Sequence, residues 1–187
     1  MRLARFLIIA FSLVVAFRQP LFSQIRHSFF NNYSIRDGLT DNIIHCIQQD
    51  NEGWIWMGTS FGVVRFDGYD LQKFELNTPE SDILGQSLIR TITQDRHGDI
   101  WIGTENHGIF IYRRKQYELL RLICTGSYDE ECSNSIWSIV EDSSGKFWIG
   151  TERGLKQYDP EKGTFIPHNI DMQGKSGNTT NIFVRVR

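Results

Sequence analysis

The sequence is poor in proline and cysteine and carries no excess of basic residues. Of its 187 residues, four are proline and three are cysteine, and the formal net charge is −2. A nucleic-acid-binding domain usually shows clustered lysine and arginine, so the charge balance argues against a nucleic-acid partner. No Cys/His spacing resembles a zinc site. We therefore expect no metal and no other cofactor.

The chain also lacks an apolar run of about 20 residues, the length that a membrane-spanning helix needs. Residues 6–17 are apolar except for Ser12, and they stand between Arg5 and Arg18. This order predicts a signal peptide over residues 1–23, with a buried N-terminal helix as the alternative. Export would place the mature chain, residues 24–187, in the periplasm or another oxidising extracytoplasmic compartment.

The cysteine count is odd, so at least one thiol is unpaired. Cys124 and Cys132 flank a polar stretch. A disulfide between them within one loop is one alternative, and two free thiols are the other. Cys46 stands in an apolar alternation, which predicts an inert buried thiol.

Glycine and tryptophan are frequent and recur at a fixed spacing. The chain has 16 glycines and five tryptophans. Three stretches share the pattern Asp-x-x-Gly-x-x-Trp-x-Gly-Thr, and they begin at Asp50, Asp95 and Asp142, at steps of 45 and 47 residues. A period near 45 residues is typical of a four-stranded blade of a β-propeller.

Local patterns within the first copy agree with a blade. Short β-rich runs cover residues 44–47, 55–57, 63–66 and 71–75, with turn sequences between them. The glycine spacing would interrupt any helix built on the repeat. We therefore predict an all-β fold, an incomplete β-propeller whose three four-stranded blades cover about residues 37–82, 83–131 and 132–176.

The repeated residues are predicted to be structural. The tryptophan of each copy would fill the wedge between adjacent blades, although a platform for stacking carbohydrate is the alternative. The aspartate would form a turn by accepting backbone N–H bonds, and is not expected to act as a catalytic acid. The glycine before the threonine would allow close backbone approach on crowded inner strands. The residues concerned are Trp56, Trp101 and Trp148, Asp50, Asp95 and Asp142, and Gly58, Gly103 and Gly150.

Both ends of the repeat region carry further signals. Residues 178–187 resemble residues 133–136, the opening of the third copy, so residues 177–187 are predicted to start a fourth blade. Propellers close with about four to eight blades. We therefore expect a fragment, a truncated reading frame or the first part of a larger sensor. Residues 29–35 are predicted to form an orphan outer strand.

The sequence resembles a known family at these motifs. D-G-L-T-D-N at residues 37–42, followed by Q-D-N-E-G-W-I-W-M-G-T, is similar to the two-component regulator propeller repeat, and residues 95–104 and 142–151 match equally well. The resemblance covers about residues 29–187. It implies the periplasmic sensor region of a hybrid two-component system histidine kinase of the Bacteroidetes type.

The resemblance also carries expectations about ligand and partners. It implies an oligosaccharide derived from glycans as ligand, a homodimer in the full-length context, and membrane attachment only through a helix downstream of the repeats. Kinase activity would belong to downstream domains, so no enzyme activity is expected in these residues. The family's ligand-binding residues are not carried over, because the blade motif is structural. No catalytic, cofactor-binding or metal residue is therefore assigned, and ligand-binding residues stay undefined.

A non-catalytic sensor would read its ligand at the loops on top of the blades. These loops are residues 60–61, 105–107 and 152–153. His107 and Arg153 are polar enough to contact sugar hydroxyls, and ordinary solvated loop residues are the alternative for both.

Two other functions compete with the sensor. A secreted scaffold for protein interaction is one. A propeller hydrolase or lyase is the other, because the Asp-x-x-Gly-x-x-Trp hairpins resemble the Asp-boxes of sialidases and streptogramin lyases are also propellers. Glu105 and Glu152 occupy equivalent positions and could converge as paired carboxylates, but Ser60 replaces them in the first copy. His45, His97 and His107 fall at different phases of the repeat and are not expected to form one cluster.

Overall fold

The computed structural model describes residues 30–123 and 133–168. The chain divides into two compact units, Met1–Asn32 and Tyr33–Arg187, and the architecture below belongs to the second. The predicted signal peptide, Cys124, Cys132 and the predicted fourth-blade start at residues 177–187 lie outside the described residues, as does the end of the third predicted blade.

The described chain forms three separate four-stranded antiparallel sheets, each a simple meander. This confirms the prediction of three four-stranded propeller blades, and the sheets do not join into a closed ring within the described residues. The first blade contains β1 (Ile44–Gln49), β2 (Ile55–Thr59), β3 (Val63–Phe66) and β4 (Leu71–Lys73). The second contains β5 (Ile89–Gln94), β6 (Ile100–Thr104), β7 (Ile109–Arg113) and β8 (Glu118–Leu122). The third contains β9 (Ile136–Glu141), β10 (Phe147–Thr151), β11 (Gly154–Asp159) and β12 (Thr164–His168).

The segment before the first blade is not a strand. Residues 30–34 have no regular structure, and a short 3-10 helix covers Ile35–Asp37. Ser34 caps this helix, since its side chain accepts from the Arg36 backbone while its own N–H donates to Asp37. The predicted orphan strand over residues 29–35 is therefore wrong for its described part, because the Ser-x-x-Asp capping box favours a helical turn.

A helix, α1 (Pro79–Gly85), connects the first blade to the second. The Thr78 side chain accepts from the Ser81 backbone, and Pro79 occupies the first turn, where proline is well tolerated. Leu84 is fully buried in the core between the blades. This helix was not predicted, because it lies in a linker outside the repeated pattern.

The first strands of the blades form the inner row of the assembly. β1 packs against β5, and β5 packs against β9, while β5 and β9 also contact the second strand of the preceding blade. One hydrophobic cluster lies between the first and second blades and includes Trp56, Ile89 and Phe110. A second lies between the second and third blades and includes Trp101 and Phe147. The core is therefore built at the interfaces between blades.

The repeated glycine of the second strand permits this close packing. A Cβ added at Gly103 would lie 2.6 Å from Cγ2 of Thr91 and 2.7 Å from Cγ2 of Ile136, which belongs to the next blade. Gly58 stands in the same relation to Cys46 and Ile89. The predicted crowding is confirmed, but the groups that approach these two glycines are side chains of first strands and not backbone. No helix among the described residues is long and apolar enough to cross a membrane.

Candidate functional site

An aspartate and a tryptophan form one compact unit in the first hairpin of each blade. In the first blade, Oδ1 of Asp50 accepts from the backbone N–H groups of Glu52 at 2.9 Å and Trp54 at 3.0 Å. Its Oδ2 accepts from the indole Nε1 of Trp56 at 2.7 Å. The carboxylate thus holds the turn with one oxygen and the tryptophan with the other. We call this unit the Asp–Trp clamp.

The clamp recurs in the other two blades. Trp101 donates to Asp95 at 3.0 Å, and Trp148 donates to Asp142 at 3.0 Å, while each Oδ1 accepts backbone N–H bonds within the turn. The predicted turn-forming role of the aspartate is confirmed. Its bond to the tryptophan was not predicted, although the constant six-residue spacing of the two residues was a signal for it.

The tryptophans pack between blades as predicted. Trp56 is fully buried, and its ring centroid lies 5.2 Å from that of Phe74 and 6.1 Å from that of Tyr112 in the second blade. Trp101 is buried and stacks on Phe147 of the third blade at 3.7 Å. Trp148 is half-buried. At Trp56 and Trp101 the wedge role is confirmed, and a buried ring offers no platform for carbohydrate.

The clamp also changes the acidity of its carboxyl groups. Burial opposes ionisation of Asp50, but the Trp56 indole, the Glu52 backbone N–H and the charge of Arg114 outweigh it and lower the pKa of Asp50. Hydrogen bonds from the Ser144 side chain, the Lys146 backbone and Trp148 lower the pKa of Asp142 to about 2. Both carboxylates stay ionised at neutral pH, which suits acceptors in the clamp and not proton donors.

The repeated threonine fixes the loop between the second and third strands. The hydroxyl of Thr104 donates to the carbonyl of Gly108 at 2.8 Å and accepts from the backbone N–H of His107 at 2.9 Å. Thr59 and Thr151 make the equivalent bonds in their blades. The loops predicted to read a ligand are therefore fixed by a shared residue, although the second-blade loop is one residue longer than the other two.

Each first strand carries one β-bulge, and the bulged residue differs in every blade. In the first blade Ile44 pairs with Thr59 while Cys46 pairs with Gly58, so the intervening residue is extra. The same shift occurs in β5 and β9. The extra residues are His45, Arg90 and Trp137. A bulge re-aims its side chain and is over-represented beside functional sites.

In the first two blades the bulged residue contacts the residue that follows the repeated threonine. Nε2 of His45 lies 3.2 Å from Oγ of Ser60, and Arg90 forms an ion pair with Glu105. The Arg90 guanidinium also lies 4.5 Å from the centre of the Trp137 ring in the next blade. Trp137 is 49% exposed, unlike the clamp tryptophans. We use the name bulge row for two positions of each blade, the bulged residue and the residue after the repeated threonine. The six residues are His45, Ser60, Arg90, Glu105, Trp137 and Glu152.

The other polar residues singled out in the sequence are dispersed. His107 is tied to Ser87 through Nδ1 at 2.8 Å, and its carbonyl accepts from Arg121 at 2.9 Å. Arg153 and His97 are exposed. The described residues hold no group of three or more His, Cys, Asp or Glu arranged to bind a metal. His107 thus stabilises the loop to which it belongs.

Glu105 and Glu152 stand in unlike surroundings. The side chain of Glu105 forms an ion pair with Arg90, whereas the side chain of Glu152 is exposed. Ser60 occupies the equivalent position in the first blade. Its side-chain hydrogen bond to Asp41 is the main reason that the pKa of Asp41 is lowered. The arrangement can offer hydrogen bonds to a ligand from each blade.

Cys46 is half-buried in β1, not fully buried as predicted. It packs beside the first cluster and against Gly58. Burial raises the pKa of its thiol to about 11, although a backbone hydrogen bond from Gly58 opposes the effect. A thiol with so high a pKa is a poor nucleophile at neutral pH, which agrees with the inert role predicted for it.

Comparison with known proteins supports the fold. The chain is similar to the extracellular domain of a putative hybrid two component system, BT3049, from B. thetaiotaomicron, with 22% identity and a TM-score of 0.64 over 74% of this chain and 20% of that one. It is also similar to virginiamycin B lyase from Staphylococcus aureus, with 15% identity and a TM-score of 0.52 over 70% of this chain and 42% of the lyase. The chain thus spans about a fifth of the first of these proteins and less than half of the second. No curated protein matches the chain significantly.

The family comparison addresses the repeats themselves. The model of the two component regulator propeller matches residues 38–61, 83–106 and 130–153. Each match contains the aspartate and the tryptophan of one Asp–Trp clamp. It also contains the repeated glycine and the threonine that fixes the following loop. Each of the three blades therefore contains a repeat that matches the two component regulator propeller family.

Proposed function

We propose that this chain is a non-catalytic, extracytoplasmic sensor segment of a two-component signalling protein, and that it takes part in recognising an oligosaccharide derived from a glycan. The observation that carries the proposal is the threefold match to the two component regulator propeller repeat. The extracellular domain of the BT3049 system has the same blade fold, which supports a location outside the cytoplasm.

The distribution of roles within a blade supports a binding function over a catalytic one. The repeated carboxylates serve as acceptors in the Asp–Trp clamps, and the Glu105 carboxylate is held by Arg90. A retaining or inverting glycosidase needs two carboxylates with separate acid and base roles. The residues that vary between blades instead lie together at the bulges, where they offer an aromatic face and hydrogen-bonding groups.

A two-part experiment tests this function. The full chain with a C-terminal tag would be expressed in a Bacteroides host, fractionated into cytoplasm and periplasm, and then applied to an array of defined oligosaccharides. We expect a periplasmic product that retains at least one class of oligosaccharide unchanged. A cytoplasmic product, cleavage of the bound glycan, or retention of no glycan with capture of a host protein would contradict the proposal, and the last result would favour the scaffold alternative.

A further inference from the structure

The bulge row contains aromatic and polar side chains of the kinds that bind ligands. It lies on a part of the fold that all three blades share. Three blades share the strand pairing, the repeated glycine and the repeated threonine around the bulge. The bulged residue and the residue after the threonine change from blade to blade, as does the residue after the bulge, which is Cys46, Thr91 or Ser138. Since each bulge displaces its residue from the ladder, that side chain is not needed for strand pairing. A fixed frame therefore presents a variable row of side chains.

We propose that the bulge row is a binding site for a neutral oligosaccharide, centred on Trp137 and the Arg90–Glu105 pair. This inference rests on the proposed function and assigns the site and the ligand's charge.

The aromatic part of the site is Trp137. It is the large aromatic residue of the row, and about half of its surface is open to solvent. The Arg90 guanidinium covers part of the ring and restrains its orientation through a cation–π contact. The remaining surface is a flat apolar area next to polar groups. A pyranose ring has the matching features, since one face carries C–H groups and its edge carries hydroxyls.

The polar part of the site supplies both donors and acceptors. Arg90 and Glu105 form an ion pair at partial exposure, with 27% and 36% of their side chains accessible. Planar groups of this kind can bind vicinal hydroxyls through paired hydrogen bonds. Glu152 lies exposed in the same blade as Trp137, and the His45–Ser60 pair occupies the equivalent place in the first blade. A ligand of several sugar units can contact more than one blade.

The charge of the surroundings gives no advantage to an acidic ligand. The carboxylates on or next to the row are Asp41, Glu105 and Glu152, and the cations are Arg90, the exposed Arg153 and Arg121, whose Nε donates to a carbonyl in the loop of Glu105. The charges of Arg90 and Glu105 already balance each other. A uronic-acid or sulfated sugar would therefore meet no excess of positive groups and would compete with Glu105 for Arg90, whereas a neutral sugar leaves the ion pair intact.

Calorimetry with the full chain tests the site. The probes are cellohexaose, xylohexaose, arabinohexaose and, as the acidic counterpart, hexagalacturonate. We expect at least one neutral hexasaccharide to bind more tightly than hexagalacturonate. Trp137→Ala and Arg90→Met are each expected to weaken that binding by about tenfold or more, and Trp137→Phe by much less, because it keeps an aromatic face. The control is Tyr69→Ala, since Tyr69 is 89% exposed in a turn outside the row.

Folding is checked separately for each variant by its thermal midpoint. If Trp137→Ala is unstable, the indole NMR resonance of Trp137 is followed in the unmodified chain instead. The ligand must then shift that resonance at a lower ligand concentration than it shifts those of Trp56 and Trp101. Binding that survives Trp137→Ala and Arg90→Met, or that leaves the Trp137 resonance in place, overturns the site but not the proposed function. Tighter binding of hexagalacturonate overturns the charge argument. If no sugar binds in calorimetry or on the array, the proposed function itself is overturned.

Discussion

The indole Nε1 of Trp56 donates a hydrogen bond to Oδ2 of Asp50 at 2.7 Å, across a hairpin whose turn is held by the other oxygen of the same carboxylate. One side chain thus fixes both the turn and the ring that packs against the next blade. The relationship is repeated by Trp101 with Asp95. It explains why the repeat conserves the spacing between these residues and not only their identities.

Removal of a clamp tryptophan should destabilise the interface between blades. Trp101 is buried and stacks on Phe147. We expect Trp101→Ala to lower the free energy of unfolding by about 3–5 kcal/mol, since the deletion loses buried area and leaves a cavity. Urea denaturation of the full chain measures the change. Tyr69→Ala, at an exposed position, serves as the matched control and should change stability little. Equal midpoints for Trp101→Ala and the control would contradict the packing role.

The Asp50 carboxylate is expected to be energetically coupled to the second blade. Arg114, in the turn between β7 and β8, forms an ion pair with Asp50 and a second one with Glu52 at 2.8 Å. A double-mutant cycle of Asp50→Asn and Arg114→Met should give a coupling free energy of about 0.5–3 kcal/mol. Glu75→Gln in place of Asp50→Asn is the control, because the Glu75 side chain is 60% exposed and pairs with Lys73. Strictly additive effects of the two substitutions would show that the ion pair does not join the blades.

The repeated glycine is expected to tolerate no side chain. Alanine at Gly103 would place Cβ within 2.7 Å of side chains on two neighbouring strands. We expect Gly103→Ala to cost about 1–3 kcal/mol through overpacking. Gly85→Ala, at the end of α1, is the matched control, because its nearest neighbour is the flexible end of Lys73 at 3.6 Å. It should be neutral or slightly stabilising, since alanine favours a helix. A neutral Gly103→Ala would contradict the close packing of the blades.

Stability should fall in acid through the clamp carboxylates. The pKa of Asp142 is lowered from 3.8 to about 2 in the folded chain. Because the folded pKa lies below the unfolded one, its contribution is complete above about pH 4 and is lost as the pH falls toward 2. Urea midpoints from pH 7 to pH 2 should therefore show Asp142→Asn less stable than the parent at neutral pH and similar to it near pH 2. Ser144→Ala, which removes the largest cause of the shift, should move the loss to higher pH. A pH-independent difference would contradict the assignment.

The fold was predictable because its signal is repeated three times. Asp50, Gly53, Trp56, Gly58 and Thr59 recur in phase, and each stabilises a hairpin or a blade interface. Comparison of the copies therefore separates shared residues from variable ones without any other sequence. The period alone was sufficient to predict four strands per blade.

The segments outside the repeat were less predictable. The linker helix α1 occurs once and depends on Thr78 as its cap and on Leu84 reaching the core, so no second copy reinforced the signal. The 3-10 helix at Ile35–Asp37 likewise depends on a local capping box.

The bulge row was missed for a physical reason. Strand pairing is read from alternation, and a single extra residue in β1, β5 or β9 disturbs that alternation without leaving a composition signal. Half of the row could be located in the sequence, since Ser60, Glu105 and Glu152 follow the repeated threonine. The partners His45, Arg90 and Trp137 become visible only when the register is known.

Hydrogen exchange of the indole N–H groups tests the central claim, that the repeated aspartate and tryptophan form a clamp in each blade. The full chain labelled with 15N would be transferred to deuterated buffer and its indole resonances followed over time. We predict slow exchange at Trp56 and Trp101, which are buried and bonded to Asp50 and Asp95, and fast exchange at the exposed Trp137. Asp95→Asn should accelerate exchange at Trp101 more than at Trp56. Exchange at Trp56 and Trp101 as fast as at Trp137 would contradict the account.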